Sequence, residues 1–142
     1  MKKTLKNNKG FTLIEIVIVI VIIAILAAIL VPSMLSWIDN ANQKTVISAA
    51  DTIRNTVAAE VLEVYKDGDN VDGTPTSNTA AYDQDFWDAV NDKVGVTLQC
   101  TDPTADQYLT FTVVSGDVTE LTYTDGDWTA VFENDSWTCE KN

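Results

Sequence analysis

A chain of 142 residues has room for one modest domain and an anchor, not for two ordinary domains. It contains no histidine, which removes the commonest general base and the commonest metal ligand and argues against many enzyme mechanisms. The formal net charge of -12 is unevenly placed: Lys2, Lys3, Lys6 and Lys9 open the chain, whereas twenty of the 21 acids and five of the nine bases follow from Ser33 onward, a balance that repels phosphate backbones and disfavours nucleic-acid binding.

The first element is a basic start, MKKTLKNNKG, followed by FTLIEIVIVIVIIAILAAILVP. From Ile16 to Val31 no side chain is polar, and with Phe11 to Glu15 the run reaches the roughly 20 residues that span a bilayer as a helix. Lysines beside such a run stay cytoplasmic, which puts the acidic remainder outside. Glu15 is the anomaly, because an ionised carboxylate in a bilayer costs at least about 2.5 kcal/mol and is normally paired or functional. A secretory signal peptide shares the basic start, but this core is too long, is interrupted by Glu15 and has no A-x-A-type site within or just after it. A plain anchor accounts for the length, the lysines and Trp37 as an aromatic at the outer interface. It leaves Glu15 without a role.

A third reading starts from Lys9-Gly10-Phe11-Thr12-Leu13-Ile14-Glu15 and from Pro32 near the end of the run. A short basic leader ending in glycine, then phenylalanine, then a glutamate four residues later, then an apolar run with a late proline resembles the N-terminus of type IV pilins and pseudopilins. The resemblance is specific over residues 9–32; Ala24 stands where family members often carry a glycine. It implies that a membrane-embedded prepilin peptidase cuts between Gly10 and Phe11 and methylates the new Phe11 amine. It implies a structural protein rather than an enzyme, with no catalytic residue, cofactor or metal. It also implies partners: further copies of the chain, the membrane, the peptidase, an assembly ATPase and a platform protein.

Cleavage supplies Glu15 with a counter-charge, since an α-amine with a pKa near 8 stays mostly cationic at neutral pH. Within one helix Glu15 lies about one turn from that amine. In a filament the resemblance implies that Glu15 meets the Phe11 amine of a neighbouring subunit. A subunit docked out of register then leaves a charge buried alone, at a cost of several kcal/mol.

Past the membrane run, Leu35, Ile38, Val46, Ala49, Ala50, Ile53, Val57, Val61 and Val64 recur at steps of three and four, the signature of an amphipathic helix. Lys66-Asp67-Gly68 is a plausible stop, so one helix from about Phe11 to Lys66, roughly 80 Å long, is expected, kinked rather than broken at Pro32. Residues 67–80 read as a polar surface loop. Their acids fail the EF-hand spacing at Val71 and Asp72. Ala81 to Val94 reads as a second helix with Tyr82, Phe86, Ala89, Val90 and Val94 inward and Gly95 as its stop.

The remainder alternates as strands over Val96–Cys100, Tyr108–Val114, Val118–Thr124, Trp128–Glu133 and Ser136–Cys139, an antiparallel meander. Asp125-Gly126-Asp127 reads as a hairpin tip, with calcium binding the alternative, and Asn134-Asp135-Ser136 fits a glycosylation triplet. Cys100 and Cys139 fall in the exterior part, where a bridge is the default and two free buried thiols the alternative. Such a bridge resembles the disulfide-bounded C-terminal region of many type IV pilins.

The expected fold is therefore α+β and type IV pilin-like: leader 1–10, transmembrane and filament-core helix 11–32, amphipathic helix 33–66, and a globular part 67–142 with a short helix and an antiparallel sheet. The expected function is a pilus subunit, held in the cytoplasmic membrane with its N-terminus inside and moved to a cell-surface filament on assembly. A pseudopilin of a secretion or competence system is the alternative, and a membrane-anchored binding domain a third.

Overall fold

The computed structural model describes residues 10–66, 68, 71–74, 82–100 and 103–142. Lys2, Lys3, Lys6 and Lys9 of the leader, and most of the 67–80 segment, lie outside the described residues. Two helices, α1 (Leu13–Lys66) and α2 (Gln84–Val94), precede four strands, β1 (Gln107–Val114), β2 (Asp117–Asp125), β3 (Trp128–Glu133) and β4 (Ser136–Lys141). By contacts the chain divides into two units, Met1–Asn40 and Ala41–Asn142.

In the first unit α1 runs through Pro32 without interruption. Proline lacks the N–H that the helix expects there. Two nearby hydroxyls bond within the same turn, Ser33 Oγ to the Leu30 carbonyl at 3.3 Å and Ser36 Oγ to the Ser33 carbonyl at 3.1 Å. Every residue from Leu13 to Ile38 is exposed.

In the second unit the long helix packs against the sheet, the α+β arrangement expected of a pilin-like fold. Val46, Ala50, Ile53, Val57 and Val61 form its buried stripe, each one helical turn from the next. They share one core with Leu109, Phe111 and Val113 of β1, Leu121 and Tyr123 of β2, Ala130 and Phe132 of β3, and Cys139 of β4. The sheet is a meander in the order β1-β2-β3-β4, antiparallel throughout.

Strict alternation fails once, and the reason is a β-bulge. Thr112 pairs with Glu120 but Val113 pairs with Val118, which leaves Thr119 as the extra residue. The bulge lets Val118 turn inward beside Leu121 and Tyr123, three positions and five positions away, while Thr119 and Glu120 both stay exposed. Ser115-Gly116 and Asn134-Asp135 close the first and third hairpins with positive φ at both turn residues, the type I′ geometry whose twist matches the strands.

α2 starts three residues later than the Ala81 expected from its periodicity, and Ala81 itself lies outside the described residues. Asp83 is the N-cap: its side chain accepts from the Phe86 N–H at 3.1 Å. Gly95 ends the helix in the left-handed conformation at φ 73, and its N–H reaches the Asn91 carbonyl at 2.9 Å. Phe86 then meets Tyr82 edge-on at 5.0 Å, and Tyr82 meets Phe111 edge-on at 5.4 Å.

Two expectations need correcting here. Val96–Cys100 is not a strand: Gln99 makes a single parallel bridge to Tyr108, bonding the Gln107 carbonyl at 3.0 Å and the Leu109 N–H at 2.9 Å. Leu98, whose backbone N–H faces away from β1, bonds Asn91 Oδ1 at 3.0 Å instead. Nor is 67–80 simply a loop over the surface: Val71 is buried, and Gly73 bridges Val113 with bonds of 2.9 and 3.0 Å.

Arg54 of α1 folds over the sheet. Its guanidinium carbon stands 3.9 Å from the Phe132 ring centroid and Nη2 donates to the Val118 carbonyl at 3.3 Å.

Candidate functional site

Gly10 and Phe11 lie outside the helix and are exposed, Phe11 at 85%. Thr12 caps the helix that begins at Leu13. Its hydroxyl accepts from the Glu15 N–H at 3.3 Å, and the Glu15 carboxylate in turn accepts from the Thr12 N–H at 2.8 Å. This reciprocal pair is a capping box, which satisfies two N–H groups that a helix start leaves without partners. A third bond closes the ring, from Thr12 Oγ1 to Glu15 Oε2 at 2.7 Å. Both bonds that Glu15 accepts fall on Oε2, and among the described residues none reaches Oε1.

The carboxylate is therefore not stranded: its own chain supplies two donors and a helix N-terminus, where negative charge is favoured. Sequence reasoning passed over Thr12, although T-x-x-E ahead of an apolar run is the signal of a capping box. The geometry holds Glu15 against the residue that directly follows Phe11, so the predicted cut would expose an amine one residue upstream of the carboxylate's present partner.

Beyond Glu15 the helix presents apolar side chains in every direction, with Ile29, Leu30, Met34 and Trp37 all more than 60% exposed. By length and composition α1 can cross a membrane. A helix apolar on all sides is a buried or membrane-spanning helix, and none of the described residues of its own unit covers it.

The predicted Cys100–Cys139 bridge is not formed: both cysteines are free, Cys100 half-buried and Cys139 buried. The register explains why. Gln99, Tyr108, Thr124, Thr129 and Glu140 form one row across the sheet. Cys100 and Cys139, each one residue from an end of that row, are thus separated by four strand spacings of about 4.8 Å. A disulfide needs Cα atoms within about 7 Å. Burial pushes both thiols above their ordinary range, which keeps them protonated and weakly nucleophilic.

Elsewhere, Gly126 makes the β2–β3 turn at φ 57 and Asn134 the β3–β4 turn at φ 52. Among the described residues no group of three or more Cys, Asp or Glu is placed to hold a metal ion.

Residues 5–31 match the family model of the prokaryotic N-terminal methylation motif. The chain carries a type IV pilin-like signal peptide. The match takes in Gly10, Phe11, Thr12 and Glu15 and stops one residue before Pro32, so it covers the pilin-like leader junction and apolar run and leaves the rest of the chain to its fold. No curated protein and no solved structure matches the chain. The motif supports a pilin- or pseudopilin-like precursor, and with the apolar helix it fits membrane anchoring.

Proposed function

We propose that this chain is the structural subunit of a type IV pilus. A prepilin peptidase removes residues 1–10, the Phe11 amine is methylated, and the subunit is drawn from the membrane into a helical surface filament by an ATPase-driven platform. The observation that carries this reading is the fully exposed apolar surface of Leu13 to Ile38, directly behind a methylation motif. In lipid that surface gains little by exchanging one apolar neighbour for another; out of lipid it has to be buried against other subunits. The same side chains serve as anchor first and as filament core later.

In the filament, Glu15 pairs with the Phe11 ammonium of an adjacent copy, and a docking out of register leaves the carboxylate buried without a counter-charge. Head-to-tail contacts of this kind extend without closing. The subunit performs no catalysis and needs no cofactor.

The experiment is N-terminal sequencing and intact mass on protein from the native cell, with microscopy of the sheared surface fraction. A chain beginning at methylated Phe11, recovered in surface fibres, is the expected result. A cleaved chain without surface fibres is a pseudopilin, and a chain that keeps Met1 and forms no polymer overturns the reading.

A further inference from the structure

We propose that the second unit carries a binding cleft for a small uncharged alcohol or phenol, with the Tyr123 hydroxyl as its hydrogen-bond donor. The cleft, of about 170 Å³, lies between Ala49, Thr52 and Ile53 of α1, Val94 and Val96 on either side of the Gly95 turn, and Tyr123 of β2. Its chemistry goes beyond the filament reading and does not rest on it. The observation is a buried hydroxyl without a partner. Tyr123 is only 2% exposed, yet among the described residues its hydroxyl makes no hydrogen bond. Buried phenols nearly always find one. Tyr82, the other tyrosine buried in this core, donates to the Val71 carbonyl. Nor is the Tyr123 oxygen sealed in: among the described residues Arg54 Nε is the one side-chain polar atom both unpartnered and shut away from solvent. The Tyr123 oxygen therefore reaches open space, and the cleft is the space that its side chain lines.

The volume is close to that of apolar cavities that take a benzene ring. Ala49, Ile53, Val94 and Val96 supply the apolar walls, and the small side chain of Ala49 leaves the room. Burial, aided by the Asp125 charge, pushes Tyr123 up to about 12, so at neutral pH the phenol is protonated and donates. The same Asp125 charge opposes an anionic ligand, and among the described lining residues no acid is present to hold a cation. The ligand is therefore neutral. Thr52 narrows its class: the Thr52 proton goes to the Ser48 carbonyl at 3.0 Å, which leaves the oxygen as an acceptor. A ligand hydroxyl can accept from Tyr123 and donate to Thr52, whereas a hydrocarbon can do neither.

The test titrates phenol, and toluene as its counterpart without a hydroxyl, into the isotope-labelled full chain in detergent, read by the amide NMR signals of Ile53, Val94 and Val96. Phenol should give saturable shifts at those residues with a Kd of about 1 mM. Tyr123→Phe should loosen phenol about tenfold and toluene less than twofold. Ala49→Leu, which fills the cleft from α1, should abolish binding of both. In the wild type, the Tyr123 ring carbon that bears the hydroxyl should respond more strongly to saturating phenol than to saturating toluene, a readout that stands even where Tyr123→Phe does not fold. Shifts confined to Leu13–Ile38, where detergent lies, or no saturable shift at all, mean that the cleft holds water only and overturn the proposal. Equal loss of phenol and toluene in Tyr123→Phe assigns the ring to packing and also overturns it, as does phenol binding that survives Ala49→Leu or an equal response of the Tyr123 carbon to both probes.

Discussion

The Gln43 amide donates to the Cys139 carbonyl at 2.8 Å, joining α1 to a strand almost at the other end of the sequence. β4 is an edge strand, and in its two-residue hairpin with β3 the backbone groups of Trp137, Cys139 and Lys141 face away from β3. Gln43 occupies the middle carbonyl of that outward row. Exposed edges invite pairing with other chains, and a side chain bonded across one is an effective block. Replacing Gln43 with alanine should lower stability by about 0.5–1.5 kcal/mol, and it should raise off-pathway association of the detergent-solubilised chain, read by thermal unfolding and light scattering.

Val57 is fully buried at the centre of the helix stripe. Truncation to alanine removes two methyl groups from a packed core, and should cost about 2 kcal/mol or more once the cavity is counted. Leu62, 47% exposed on the same helix, should cost a few tenths of that when truncated. Denaturant midpoints of the two variants, measured side by side, check the difference.

The separation of the cysteines across the sheet makes reduction irrelevant to folding. Thermal midpoints should be the same with and without reductant. Alkylation under denaturing, non-reducing conditions should add two labels to the intact mass, one each at Cys100 and Cys139.

Alkaline pH should weaken the fold through two phenols. Burial, aided by Asp72, pushes Tyr82 up to about 12, and burial, aided by Asp125, does the same to Tyr123. A folded-state pKa above the unfolded value of about 10 means that the stabilisation is complete below pH 10 and is lost as pH rises through 12. Stability should fall in that window by at most about 1.4 kcal/mol per pH unit for each tyrosine. Phenolate absorbance should show Tyr82 and Tyr123 ionising last, and Tyr82→Phe should flatten the profile. That variant gives up the hydrogen bond from the Tyr82 hydroxyl to the Val71 carbonyl at 2.5 Å.

At the N-terminus, replacement of Gly10 by a bulky residue should leave an unprocessed band of higher mass. Glu15→Ala should be cut normally and fail to enter fibres, since it removes the carboxylate while leaving the Gly10–Phe11 bond intact. Immunoblotting of whole cells and of the sheared fraction separates the two defects.

Much of this was readable from local pattern. The valines and alanines of α1 repeat at helical spacing because one face must be dry, and Val46, Ala50, Ile53, Val57 and Val61 are indeed the buried set. Strand alternation located all four strands to within two residues at their ends, because turn residues such as Ser115-Gly116 and Asn134-Asp135 mark the reversals. Long-range register was the illegible part. A run such as Val96–Cys100 has strand composition, yet only Gln99 finds a bridge partner, Tyr108 of β1. The cysteine pairing failed for the same reason, since sequence gives their chemistry but not the number of strands between them. At the candidate site, Gly10, Phe11 and Glu15 stood out by residue type. Thr12 did not, because a capping threonine looks ordinary until its partner three residues on is read with it.

Each strand of the meander bonds to the one made just before it, across turns of two residues. Loop closure at every step is short, so the sheet can zip up from its own hairpins without a distant segment arriving first. The sheet can thus form its own pairing first and receive the α1 stripe of Val46, Ala50, Ile53, Val57 and Val61 afterwards.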